Sequence, residues 1–361
     1  MKIGVPKEIK PQESRVGMTP GVAAQLIAAG HSVVVETNAG AGIGKLDADY
    51  VRVGASILPD ADAVFAQSDM IVKVKEPQPI ECARLRPNQI LFTYLHLAPD
   101  PEQARALMAS GCTAIAYETV VGRDGGLPLL APMSEVAGRM SAQVGAAALL
   151  APAGGRGLLM GGVPGVAPAK VVILGAGVSG KNAAEIAAGM RADVTVFDRA
   201  KAPLVEVDRM FHGAVKTGMA TPDAIEDAVY EADLVIGAVL VAGAAAPKLI
   251  TKDMLARMKC GAVLVDISID QGGCFETSRP TTHAEPTYIV DGIVHYCVAN
   301  MPGAAPLTST YALNAVTAPY MLALANKGVD RALAEDPGFA LGLNVRDGKI
   351  MHPAVKTALK L

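Results

Sequence analysis

Four ionisable side chains stand where short apolar runs end. Arg15 follows "MKIGV", Lys75 closes "MIVKVK", His96 closes "ILFTYLH" and Asp270 closes "VLVDISID". A planar guanidinium grips a small carboxylate through two parallel hydrogen bonds. An ammonium and an imidazole polarise a carbonyl or imine and supply a nearby acid. A carboxylate beside an amine balances charge and moves protons. Each also has an ordinary reading. Arg15 could be a loop charge in "KPQESR", Lys75 a partner of Glu76, His96 a satisfied half-buried histidine and Asp270 a cap before Gly272–Gly273. Their shared placement argues for a site, because ligands of open α/β sheets sit beyond the carboxyl ends of the strands. The four alone name no substrate.

A second constellation is Gly175-Ala-Gly177-Val-Ser-Gly180, which follows the strand-like "KVVIL" and opens a helical pattern. Gly175 permits a tight turn, Gly177 the approach of a pyrophosphate and Gly180 close helix–strand packing. A helix N-terminus adds free N–H groups and partial positive charge. The next strand, "DVTVFD", ends in Asp198, where a ribose-binding acid belongs. Asp198 favours NAD over NADP, since a carboxylate repels a 2′-phosphate. Arg199 keeps the other outcome open, as a phosphate contact or as a plain surface charge. H-E-x-x-H, G-x-S-x-G and G-x-x-x-x-G-K-[ST] are all missing, and no metal site is expected.

The elements that must carry these residues alternate. "MKIGV", "SVVVE", "MIVKV", "ILFTYL" and "CTAIAYE" read as strands, with helices "PGVAAQLIAAG" (closed by Gly30) and "DPEQARALMASG". After the helical "MSEVAGRMSAQVGAAALL", a second unit follows with "KVVILG", "DVTVFD", "DLVIGAV" and "AVLVDIS". Fully apolar strands alternating with helices predict parallel sheets covered on both faces. From about Leu307 the pattern is helical. The expectation is an α/β protein of two Rossmann-like doubly wound parallel-sheet domains with an active-site cleft between them. Residues 1–130 plus 306–361 would form a discontinuous substrate domain and 131–305 an inserted NAD-binding domain, with a hinge at the two crossings.

Bulk properties narrow the class. The chain has 361 residues, 51% of them hydrophobic, enough for about two domains. A net charge of −3 gives no bias toward nucleic acid or an anionic membrane. The five cysteines (Cys82, Cys112, Cys260, Cys274, Cys297) contain no C-x-x-C pair, which fits a reducing cytoplasm. "MKIGVPKEIKPQESR" has no apolar leader core, and "VGAAALLAPAGGRGLLMGGVPGV" is broken by Arg156 and two prolines, so neither a secretory signal nor a spanning helix is expected.

The chain resembles the alanine dehydrogenase/pyridine nucleotide transhydrogenase family over nearly its whole length. The resemblance rests on "IGVPKEIKPQESRVGMTP", "VKVKEP", "LFTYLHLA", "APMSEVAGRMS", "GGVPGVAPAKVVILGAGVSGKNAA", "ADLVIGAVLV", "PKLIT", "VDISIDQGGCFETSRPTTH" and "YCVANMPGAAPLTSTYAL". It implies that Arg15 and Lys75 hold the substrate carboxylate and carbonyl, that His96 is an acid/base, and that Asp270 acts beside the nicotinamide. It further implies a cofactor lined by Ser134, Val178, Ser179, Asp198, Val239, Leu240, Ile267, Ser268, Ile269, Asp270, Arg279, Val298, Ala299, Asn300 and Met301. Two departures fall at the adenosine end. Pro203, with Lys201 nearby, stands where the family commonly has a basic residue, and Ala220 where it commonly has a serine.

What the resemblance implies is reversible NAD-dependent oxidative deamination: L-alanine, NAD⁺ and water give pyruvate, ammonia and NADH. It also implies a homo-oligomer, usually a hexamer, with small-molecule partners. The alternatives are an NAD(H)-binding transhydrogenase subunit, a related amino-acid or opine dehydrogenase, or a NAD-sensing protein without turnover.

Overall fold

The computed structural model describes residues 1–239 and 246–360, and its contacts divide them into two compact units. The first comprises Met1–Met133 and Ala305–Leu361, the second Ser134–Ala304. The fold is α/β in both.

The first unit holds β1 (Lys2–Val5), β2 (Ser32–Glu36), β3 (Ser56–Leu58), β4 (Met70–Val72), β5 (Ile90–Thr93) and β6 (Thr113–Ala116). The second holds β7 (Lys170–Leu174), β8 (Asp193–Asp198), β9 (Lys216–Met219), β10 (Leu234–Gly237), β11 (Val263–Asp266), β12 (Thr287–Val290) and β13 (Ile293–Tyr296). The chain then returns to the first unit with β14 (Leu343–Arg346) and β15 (Lys349–Ile350). The eight-stranded sheet runs β15-β14-β6-β5-β4-β1-β2-β3, the seven-stranded one β12-β13-β11-β10-β7-β8-β9.

Strand periodicity explains the layers. Along β7, Val171 and Ile173 join one buried cluster while Val172 and Leu174 join another. Along β11, Val263 and Val265 face the first and Leu264 the second. In the first sheet Ile90 and Phe92 fall on one side and Leu91 on the other. Successive side chains point to opposite faces, so a strand buried on both must be apolar throughout. Helices flank the strands with ordinary signals: Thr19 caps Pro20–Ala28 and Asp100 caps Pro101–Ser110, each side chain accepting a first-turn N–H. Gly30 follows the first helix at φ +88°, as its sequence position suggests.

Two expectations need correction. The sheets are parallel-dominated but mixed, because β14 pairs antiparallel with β6 and β15, and β12 antiparallel with β13. The C-terminal stretch is not helical throughout. Its helix, Pro306–Glu335, is interrupted at Gly328 (φ +73°, ψ +167°), and the hairpin β14–β15 follows. Both missed hairpins turn on Asp-Gly. Asp291–Gly292 have φ of +49° and +79°, and Asp347–Gly348 have φ of +51° and +70°. Two consecutive left-handed residues match the type I′ turn that suits twisted strands, and Asp-Gly is its sequence signal. The short edge strands β3, β9 and β12 were also missed. None of their residues is fully buried, so they lack the two-sided burial of the central strands.

The loop after β4 is anchored by charge. Lys73, fully buried, lies 3.0 Å from Glu8 and 2.6 Å from Glu81, both also buried. Burial opposes its charge, but the two carboxylates outweigh this and hold the ammonium above its usual pKa. Replacing Lys73 by methionine is expected to destabilise the protein by about 3–5 kcal/mol, because two carboxylates are left buried without a counter-charge. Urea unfolding of the variant measures this; an unchanged midpoint would mean the cluster relaxes into solvent.

Candidate functional site

In the first unit, Arg15, Lys75 and His96 all lie beyond the carboxyl ends of strands. Arg15 is 2% exposed. Its Nε donates to Glu13 Oε1 at 2.7 Å, Nη2 donates to the other Glu13 oxygen, and Nη1 approaches the Met133 sulfur at 3.1 Å. Burial works against the guanidinium charge, yet Glu13 more than compensates and raises its pKa. The ordinary reading of Arg15 as an exposed loop charge therefore fails. Beside it a cavity of about 200 Å³ is lined by Glu8, Glu13, Ser14, Asn38 and Gly42 among others.

Lys75 does make the pair its neighbour suggested, with Nζ 3.4 Å from Glu76 Oε2. Lys10 also binds Glu76, and the carboxyl is held below its usual pKa despite burial. The Lys75 carbonyl accepts from the Thr93 hydroxyl at 2.9 Å, which ties the ends of β4 and β5 together. His96 is exposed, not half-buried, at φ +49°. Its ring stacks on Tyr94 with centroids 5.8 Å apart and planes 11° off parallel. Tyr94 is buried, its hydroxyl donates to the Leu129 carbonyl at 2.6 Å, and it lies close enough to Arg15 to feel its charge. One buried aromatic thus connects the arginine with the histidine.

In the second unit the glycine turn joins β7 to the helix Val178–Gly189. Gly175 has φ +107°, and a Cβ there would sit 2.6 Å from the Ala238 carbonyl oxygen. A Cβ on Gly180 would meet the Gly175 carbonyl oxygen at 1.8 Å. A Cβ on Gly177, the residue capping the helix, would meet nothing within 4 Å. Two glycines are thus required by packing, while the third faces open space at a helix N-terminus. That is the cradle a phosphate fits. Asp198 ends β8, with Oδ2 accepting from the Ala176 N–H and Oδ1 from the Ala200 N–H, each at 2.8 Å. Arg199 is exposed. Ala220, at the position where a serine is common, donates its N–H to the Asp198 carbonyl at 2.9 Å.

Asp270 lies exposed on the turn Ile267–Gln271 after β11. It is Asp266, not Asp270, that caps this turn. The buried Asp266 accepts from the N–H groups of Ser268 (3.0 Å) and Cys274 (2.9 Å) and from the Ser278 hydroxyl at 2.5 Å. On the far side Lys248 donates to the carbonyls of Gly272, Gly273 and Phe275 at 2.6, 2.9 and 3.0 Å. Ser268 donates its hydroxyl to the Val239 carbonyl at 2.6 Å. Ile269, Val298 and Met301 are buried in the core, so their side chains are committed to packing. The Arg279 guanidinium lies 4.0 Å over the Tyr288 ring. Ser134 and Ser179 are half-buried, and Val178 is exposed at the helix start. Ala299 donates to the Thr281 carbonyl at 3.2 Å, and Asn300 has φ +60°. Leu240 lies outside the described residues. Sequence reasoning did not single out Glu13, Asp266 or Lys248. An acid ending an apolar strand, as in "VLVD", and one two residues before a candidate arginine were the available signals.

Among the described residues no group of three or more His, Cys, Asp and Glu side chains is placed to hold a metal, and no helix is long and apolar enough to cross a membrane.

These features define a two-unit α/β protein with a dinucleotide-type glycine turn in one unit and a basic strand-end cluster in the other. Comparison with known proteins agrees. Family models described as "Alanine dehydrogenase/PNT" match residues 4–137 with the N-terminal domain and 141–353 with the C-terminal domain. The chain is 57% identical to the alanine dehydrogenase of Halomonas elongata over 361 residues, covering 100% of this chain and 97% of that one. It is 54% identical to that of Bacillus subtilis over 357 residues, covering 98% and 94%. A solved L-alanine dehydrogenase superposes with a TM-score of 0.96 at 51% identity, covering 100% of this chain and 99% of that one. The transhydrogenase from Sinorhizobium meliloti shares the fold, with a TM-score of 0.82 at 23% identity and coverage of 98% and 100%. The chain belongs to the alanine dehydrogenase/PNT family.

Proposed function

We propose that the protein catalyses the reversible NAD-dependent oxidative deamination of L-alanine to pyruvate and ammonia. The observation that carries this is full-length identity of 57% to an alanine dehydrogenase, with Arg15, Lys75, His96 and Asp270 all present at strand ends. Gly175, Gly177 and Gly180 with the helix N-terminus at Val178 and Ser179 would hold the pyrophosphate, and Asp198 the adenosine ribose. Ser134, Val239, Leu240, Ile267, Ser268, Ile269, Arg279 and the run Val298, Ala299, Asn300, Met301 would line the rest.

Bound there, a nicotinamide dinucleotide supplies the hydride acceptor. Arg15 grips the substrate carboxylate through its guanidinium, which Glu13 holds in place. Lys75 polarises the substrate carbonyl by leaving Glu76 for its oxygen. His96 and Asp270 carry the protons: one activates the water that adds at the substrate Cα, and ammonia leaves with a proton returned. Excluding bulk water protects the imine until that step. The same reading takes the protein as a cytoplasmic homo-oligomer, a hexamer by resemblance, which light scattering would test.

A spectrophotometric scan of amino acids for NADH formation tests the assignment. L-Alanine should give the fastest turnover. Binding of NADH without turnover of any amino acid would leave only a nucleotide-binding role, and preference for a bulkier amino acid would point to a related dehydrogenase. NAD should outperform NADP, and Asp198→Ala should weaken NAD binding and narrow that preference. Equal wild-type efficiency with both cofactors would remove Asp198 as the discriminator and give Arg199 the 2′-phosphate.

A further inference from the structure

The backbone of His96 is in the left-handed region, at φ +49°. A residue with a Cβ is uncommon there, so the contacts that hold it bear asking after. One side chain supplies them. Glu118 Oε1 accepts the His96 N–H at 2.7 Å, and both Glu118 oxygens lie 3.2 Å from the Leu95 nitrogen, which donates to them. Past the end of β5 these two successive N–H groups have lost their strand partners. Converging N–H groups form a nest that accepts an anion, and here the chain provides its own.

Glu118 is itself well braced. It sits on the turn Tyr117–Thr119 that ends β6, whose register against β5 pairs Ala116 with Thr93. The returning C-terminal segment holds the other side. Ala116 donates to the Gly342 carbonyl at 2.7 Å, Val121 to that of Gly338 at 3.1 Å, and the Asn344 amide to the Thr119 hydroxyl at 2.8 Å. The carboxylate is therefore fixed relative to β5, and through it the direction of the Cα–Cβ bond of His96. That direction lays the imidazole over Tyr94.

We propose that Glu118 is the positioning residue for His96: its carboxylate locks the left-handed turn that aims the imidazole at the substrate. This rests on His96 being a proton carrier in the proposed reaction, and the test separates the two. In Glu118→Ala the N–H groups lose their acceptor, so residue 96 should leave the positive-φ region and the ring should leave Tyr94, as a crystal structure of the variant would show. The kcat for alanine deamination should fall roughly 10- to 100-fold, the scale of a misplaced catalytic group, with KM for alanine and NADH affinity little changed. Glu118→Gln, whose amide oxygen still accepts the His96 N–H, should fold and lie between. In a His96→Ala background the Glu118→Ala change should cost nothing further.

A Glu118→Ala structure with residue 96 unmoved, or kcat losses that multiply in the double variant, would overturn the proposal. A purely structural Glu118 would lower the melting temperature and leave kcat alone, which also overturns it. If residue 96 moves but His96→Ala itself turns over like the wild type, the positioning stands and the catalytic reading of His96 fails.

Discussion

Arg15→Ala should lower kcat/KM for pyruvate by roughly 10²-fold or more while NADH still binds, the scale of a lost charge-assisted pair of hydrogen bonds. Its burial sharpens the expectation. A guanidinium at 2% exposure interacts with little screening by water, so a carboxylate that reaches it meets a strong partner. The Glu13 pairing adds a complication. Removing Arg15 leaves a buried carboxylate without its cation, a change worth about 3–5 kcal/mol of stability. Arg15→Lys is the companion variant. It keeps the charge beside Glu13 but loses the planar fork, so it should fold and still bind pyruvate poorly. Steady-state amination, NADH fluorescence titration and circular dichroism read the three effects separately. Should NADH affinity collapse in folded Arg15→Lys, the residue would belong to the cofactor site or the fold, not to the substrate.

The main strands were legible because burial on both faces leaves a continuous apolar run, as in "KVVIL" and "AVLVD". The edges were not, for the same reason. β9 has Lys216 and Thr217 exposed, and β12 leaves Ile289 58% exposed despite its Tyr-Ile-Val run, so neither is buried on both faces as a central strand is. The hairpins at Asp291–Gly292 and Asp347–Gly348 were legible in principle. Their signal is a turn dipeptide rather than hydrophobic periodicity, and only the second of them follows the long helical pattern that begins near Leu307.

The candidate site divides along similar lines. Residues that act through their own type and position, such as Arg15 and the three glycines, stand out in a sequence. Residues that act through tertiary partners do not. Nothing local to "AYET" says that Glu118 reaches the N–H groups of Leu95 and His96, and nothing in "PKLIT" says that Lys248 gathers the carbonyls of Gly272, Gly273 and Phe275. The pairing of Glu13 with Arg15 spans only two residues, yet it depends on both being buried together.

His96→Ala and Asp270→Asn should each give a folded protein with kcat lowered by roughly 10²-fold or more, the usual size of a lost general acid–base contribution. Neither side chain fills a core, since both are exposed, so folding should survive. Neither carries the turn it stands on. At residue 96 the backbone is held by Glu118, and the turn bearing Asp270 is held by Asp266 and Lys248. His96→Ala should bind NADH normally, because the glycine turn and Asp198 are untouched. Asp270→Asn keeps the shape but removes the charge, so altered NADH affinity alongside the lost turnover would be consistent with a place beside the nicotinamide. Deamination and amination rates, NADH titration and circular dichroism together decide. Near-wild-type turnover in folded His96→Ala would remove the imidazole from the mechanism, leaving Asp270 as the proton carrier; the same result for Asp270→Asn would place the whole of proton transfer on His96.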